Sequence, residues 1–204
     1  KNKMKQFEKA FYKKISFEKD ILKNKNILLN KICNQNILVI GGAGTIGSSY
    51  IKQVLKFKPS KITVVDINEN GLTELTRDLR SSSLLDYNPE YITYPVNLLS
   101  DIFDKIFNSE SWQVVANFSA HKHVRSEKDK ISVEALIKNN VYGAIKLLNL
   151  CQLNPPKNFF SVSTDKAANP VNIMGASKSL MEKLILSNKN NFRVSTARFA
   201  NVAF

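Results

Sequence analysis

The chain has 204 residues, 43% of them apolar, with 30 Lys and Arg against 17 Asp and Glu and a net charge of +13. That suits one globular domain with a sizeable core. No apolar run approaches the ~18 residues of a membrane helix, and no charged-apolar-small signal segment opens the chain.

Two cysteines, Cys33 and Cys151, are too few for a disulfide scaffold, so a reduced, cytoplasmic setting is expected. The first residue is Lys1 rather than Met, as in a fragment or processed product. Residues 1–31 hold ten Lys against three acids. Such an excess can signal nucleic acid, anionic lipid or acidic metabolites. Lys, Asn and Ile are abundant throughout, however, so compositional bias is the simpler reading. There is no aromatic-interleaved basic patch and no zinc or RNP motif, and no nucleic-acid partner is expected.

Residues 1–34 read as a helical extension. Phe7, Phe11 and Ile15 fall at i, i+4 and i+8, and Ile21, Leu22, Leu28, Leu29 and Ile32 form a second set near helical spacing. Helices packed on the domain or on a partner chain are preferred to helices lying on a membrane surface. From residue 35 the pattern alternates. Strands are expected at 37–40, 62–65, 91–96, 114–118, 159–163 and 193–198. Helices are expected at 45–57, 69–79, 101–107, 132–151 and 174–186. Regular alternation of this kind implies an α/β fold, a doubly wound parallel sheet (Rossmann).

The first turn of that fold is Gly41-Gly42-Ala43-Gly44-Thr45-Ile46-Gly47. Its glycines permit positive φ and close backbone approach to a pyrophosphate. The helix that follows supplies amide donors at its positive dipole end. Asp66 ends the second strand 19 residues past Gly47 and can accept both hydroxyls of an adenosine ribose. It would repel a 2′-phosphate, and Ile67, Asn68 and Glu69 supply no cation beside it. NAD is therefore expected over NADP. No Gly-Lys-Ser/Thr follows the loop, which excludes Walker-type binding.

The most chemically loaded stretch is Ser163-Thr164-Asp165-Lys166, followed by Met174-Gly-Ala-Ser-Lys178. A hydroxyl, a carboxylate and an amine stand together at a strand end, where open α/β sheets bind ligands. Hydride transfer needs a group to move the hydroxyl proton of the same carbon. Thr164 can bond a substrate hydroxyl, and Asp165 and Lys166 can serve as acid and base. Lys178 shares a helix face with Met174. A strand-end turn with solvated lysines is the alternative on chemistry alone.

The motifs GGAGTIGS, VVDINENGLTEL, NFSAHKHV, NNVYG, STDKAANPVNIMGASK and ARFANV resemble the extended short-chain dehydrogenase/reductase family. Within it the chain is similar to the nucleotide-sugar 4,6-dehydratases and epimerases of bacterial polysaccharide biosynthesis. The resemblance implies that Thr164, Asp165 and Lys166 hold the dehydratase catalytic positions, and that Lys178 is the lysine of the Tyr-x-x-x-Lys pair. Met174 stands where most of the superfamily has the catalytic tyrosine. A thioether exchanges no proton, although a branch of the UDP-N-acetylglucosamine 4,6-dehydratases also carries methionine there.

The same resemblance places Gly41, Gly44, Thr45, Ile46, Gly47, Asp66, Asn97, Leu98, Ser119, Ala120, Asn140 and Lys178 around the cofactor. Lys122, Thr164 and Asn201 fall toward the substrate. His121 and His123 are the only histidines and lack a third ligand, so no metal is expected. The implied reaction is NAD-dependent dehydration of a UDP-N-acetylhexosamine, UDP-N-acetylglucosamine first. C4 or C5 epimerisation of a UDP-sugar and a non-catalytic dinucleotide-binding regulator are the alternatives. A second copy of the chain is the expected protein partner. Family members continue well past ARFANV, so most of the sugar-nucleotide pocket is expected beyond Phe204.

Overall fold

A computed structural model describes residues 17–120, 129–189 and 191–200. Two short helices, α1 (Phe17–Lys23) and α2 (Lys25–Ile32), meet at Asn24, whose side-chain amide donates to the Asp20 carbonyl at 2.9 Å. Neither helix buries a residue fully. Ile32 packs against the sheet's second core, while Phe17, Leu22 and Ile27 are exposed. Phe7, Phe11 and Ile15 lie outside the described residues.

The alternating region then runs β1 (Asn36–Ile40), α3 (Thr45–Leu55), β2 (Lys61–Asp66), α4 (Glu69–Ser81), β3 (Glu90–Pro95), α5 (Asp101–Asn108) and β4 (Val114–Asn117). It continues with α6 (Lys130–Ile137), a π turn (Lys138–Tyr142), α7 (Gly143–Leu153), β5 (Asn158–Thr164), a 3-10 turn (Asp165–Ala167), α8 (Ile173–Ser187) and β6 (Arg193–Phe199). The six strands form one sheet in the order β3-β2-β1-β4-β5-β6, every neighbouring pair parallel. This is the doubly wound Rossmann sheet, with its topological switch between β1 and β4.

Because successive strand residues point to opposite faces, β1 feeds two cores. Leu38 and Ile40 pack with Phe103, Phe107, Leu147 and Phe159. Ile37 and Val39 pack with Ile51, Leu55, Val64 and Leu72 on the other face. That double burial is why the central strands read as unbroken apolar runs.

The single helix expected over 132–151 is corrected in two ways. It starts earlier, at Lys130, because Asp129 caps it by accepting from the Ser132 amide at 2.9 Å. It is also interrupted, because the Gly143 amide donates to the Lys138 carbonyl, five residues back. A 3-10 turn follows β5, which the apolar pattern does not signal. It forms because the Thr164 side chain caps it, accepting from the Lys166 amide at 3.4 Å.

Phe103 is fully buried and should be among the costliest core residues to truncate. Phe103→Ala is expected to lower unfolding free energy by about 3–5 kcal/mol, read from the urea denaturation midpoint and slope.

Candidate active site

The loop between β1 and α3 depends on Gly41. Its φ is 75°, and a Cβ there would lie 2.5 Å from the Ser119 nitrogen, so only glycine fits. The end of β1 therefore lies directly on the chain leaving β4. Asn117 fixes that exit: its side-chain oxygen accepts from the Ser119 amide at 3.0 Å and the Ser119 hydroxyl at 2.6 Å. Asp66 braces the loop from the other side. One carboxylate oxygen accepts from the Ala43 amide at 2.9 Å and the other from the Asn68 amide at 3.0 Å.

α3 starts beyond this turn with Gly44 as its N-cap and no side chain bonded to its first amides. A Cβ on Gly44 would meet nothing but the Gly41 carbonyl oxygen, at 3.5 Å. Backbone donors thus face open space that a side chain would fill, at the positive end of an 11-residue helix. These residues fit the pyrophosphate of a dinucleotide.

Across the switch, a cavity of about 280 Å³ joins this loop to the ends of β5 and β6. Gly41, Gly44, Thr45, Ile46 and Gly47 form one wall, and Thr164, Lys166, Met174 and Lys178 line the opposite side. Phe118, Ala120, Val162, Ser163, Phe199 and Ala200 complete it. The turn carrying Lys166 is pressed onto α8, since a Cβ on Gly175 would lie 2.7 Å from the Lys166 carbonyl oxygen. The α8 start is set by Asn172, which accepts from the Gly175 amide at 2.8 Å.

Not every expected residue reaches the cavity wall. Asp165 is exposed and turned back on its neighbours, with Oδ1 accepting from the Thr164 hydroxyl and the Lys166 amide, each at 2.9 Å. The Lys166 amine lies 3.5 Å away. The Thr164 hydrogen bond, followed by the Lys166 charge, holds this carboxyl below the usual carboxylate range, so at rest it is ionised. Asn140 lies on the π turn, buried, and donates to the Ser177 hydroxyl at 3.0 Å; that hydroxyl donates to the Met174 carbonyl at 2.8 Å. Asn97 is exposed and Leu98 belongs to the first core. Lys122, His121, His123 and Asn201 lie outside the described residues.

Lys178 is the most perturbed group on the wall. Only 3% exposed, its amine donates to the Val162 carbonyl at 3.4 Å and lies 3.5 Å from the Met181 sulfur. Burial pushes its pKa down to about 8, opposed by the nearby Glu182 charge. Met174, 3% exposed, puts a thioether on the same wall. Asn117 and the buried Glu182, which Arg198 grips, escaped the sequence reading. The i, i+4 spacing of Lys178 and Glu182 was the available signal.

The family model for polysaccharide biosynthesis proteins matches residues 37–204. The chain belongs to that family. Its relatives place it among the extended short-chain dehydrogenases/reductases, a group that includes nucleotide-sugar dehydratases and epimerases. An uncharacterised membrane protein of Methanocaldococcus jannaschii is 36% identical over 177 residues, 83% of this chain and 49% of that protein. An inverting UDP-N-acetylglucosamine 4,6-dehydratase of Campylobacter jejuni is 32% identical over 177 residues, 82% of this chain and 49% of the enzyme. Among solved structures, Pen from Bacillus thuringiensis superposes with a TM-score of 0.70 at 26% identity, covering 84% of this chain and 52% of Pen. The chain spans about half the length of these family relatives. Among its described residues no helix is long and apolar enough to cross a membrane.

The buried amine makes a checkable link between pH and stability. Between about 8 and its ordinary 10.5, unfolded chains keep a proton on Lys178 that folded chains have released. Stability should therefore rise with pH across that window. Lys178→Met is expected to flatten the rise and to stabilise the fold at pH 7 by roughly 1–3 kcal/mol, measured by urea titrations at several pH values.

Proposed function

We propose that this chain carries the NAD-binding part and the proton-transfer residues of a nucleotide-sugar 4,6-dehydratase acting on a UDP-N-acetylhexosamine. UDP-N-acetylglucosamine is the first substrate to test. The supporting observation is the single cavity that faces the Gly41–Gly47 loop with Thr164, Lys166, Met174 and Lys178. A dinucleotide whose pyrophosphate lies on the α3 start would point its reactive end toward these side chains. Asp66, with no cation in Ile67, Asn68 or Glu69, favours NAD over NADP. When bound, NAD would supply a hydride acceptor for C4 and a hydride donor for C6 of the sugar.

The chain's own residues account for the protons. With its O–H directed at Asp165, Thr164 has an oxygen lone pair free to accept the C4 hydroxyl proton while passing its own to the carboxylate. That relay removes the need for a tyrosine and gives Asp165, ionised at rest, a proton. Once C4 is a ketone, the C5 proton is acidic, and Lys166, on the cavity wall and acting as the free amine after releasing its ammonium proton to solvent, takes it. Asp165 returns that proton, by way of the Thr164 hydroxyl on the cavity wall, to the departing C6 oxygen, which leaves as water. Lys166 gives its proton back at C5 as C6 is reduced. Lys178 holds the nicotinamide ribose. Dimerisation through a second copy of the chain belongs to the same reading.

Incubating the full-length protein with UDP-N-acetylglucosamine and following product mass tests this. Loss of one water is expected. An unchanged mass with a new epimer would reassign it to C4 or C5 epimerisation, and no turnover would leave a non-catalytic dinucleotide binder. Thr164→Val and Asp165→Asn should each cut turnover by about 10²–10⁴-fold, with NADH affinity, read by fluorescence, changed less than threefold. Full dehydration by Asp165→Asn would remove Asp165 from the relay.

A further inference from the structure

Lys178 has a charged neighbour that it does not bind. Glu182 lies four residues further along α8, one turn on and on the same face, and is 5% exposed. Its carboxylate is gripped by Arg198 of β6: Nε stands 3.0 Å from Oε1 and 3.2 Å from Oε2, and Nη2 2.7 Å from Oε2. This fork is the strong, directional form of an ion pair. The β5–β6 register sets Ser163 opposite Arg198 and Thr164 opposite Phe199. The arginine is thus anchored beside the strand end that presents the reactive hydroxyl.

Without that grip, a buried carboxylate one turn from a buried ammonium would turn to it. With it, the Lys178 amine meets, among the described residues, the Val162 carbonyl and the Met181 sulfur. Among the described residues lining or adjoining the cavity, the other charges are Asp165 and Lys166 after β5. Lys166 shares the cavity wall with Lys178, while Asp165 is exposed and paired with Lys166. The Gly41–Gly47 loop bears no charge, and the π turn brings only the Asn140 amide, through Ser177.

We propose that Glu182 and Arg198 are positioning residues for Lys178: Arg198 holds Glu182 off the amine, which keeps the amine turned to the cavity and sets its charge. The proposal deepens the role given to Lys178 above and rests on it. Its test needs no sugar, so it can fail independently of the dehydratase reading.

The test is a pH titration of the Lys178 Nζ-bearing carbon by NMR in protein carrying ¹³C-lysine, assigned by loss of the signal in Lys178→Arg. A midpoint near 8 is expected for the natural protein. Glu182→Gln removes the anion one turn away and should lower the midpoint by about one unit, tenfold in the neutral fraction. Arg198→Met frees Glu182 for the amine and should raise it by about as much, with weaker NADH binding. The double variant should resemble Glu182→Gln. Opposite signs from the two halves of one ion pair are the signature; a pair that merely braced β6 on α8 would move both midpoints together or neither, and that result overturns the proposal. If Arg198→Met does not fold by circular dichroism, Arg198→Lys, which lacks the fork, is read instead. A smaller rise is then expected, and an unchanged midpoint overturns.

Discussion

The approach of the β1 exit to the β4 exit is the constraint on which the site depends. Gly41 sits in the left-handed region with no room for a Cβ against Ser119. Only because these two chains touch can α3 begin inside the crevice at the sheet's switch point rather than above it. Asn117 and Asp66 hold the contact from its two sides with side-chain carbonyl and carboxylate oxygens that accept backbone amides. An uncapped helix start and a shallow floor follow from the same geometry, and both are what a phosphate-bearing ligand requires.

The opposite wall is organised by burial. Lys178 and Glu182 are removed from water in a region whose remaining walls are largely apolar or thioether. Burial and charge oppose each other at the amine, whereas at Asp165 the dominant influence is a hydrogen bond from the neighbouring hydroxyl. The two ends of the site are therefore prepared in opposite senses: a cation made easy to discharge, and an anion made hard to protonate.

Much of this was legible in the sequence because its causes are local. Unbroken apolar runs marked the central strands, and glycine spacing marked the loop that needs them. The STDK and MGASK segments stood at a strand end and a helix start, and the structure puts both on one cavity. What escaped was what the tertiary structure decides. Glu182 and Arg198 are sixteen residues apart and meet only through the α8–β6 packing. The direction of Asp165, toward Thr164 rather than into the cavity, comes from a 3-10 turn that no residue type announces. The interruption at Lys138–Tyr142 was hidden because the apolar pattern continues on both sides of it.

That interruption makes chain length itself a structural quantity. The π turn takes up one residue more than ordinary helix would, so α7 leaves it about 100° out of phase with an uninterrupted continuation of α6. Leu147, Leu148 and Cys151 reach the core in that shifted phase, and Asn140 is buried against Ser177 within the turn. Losing a single residue here would relax the backbone into regular helix and leave that apolar face on the sheet, at the expense of the Asn140 contact with Ser177, whereas gaining one would rotate the face away. The segment can shed a residue but cannot absorb another.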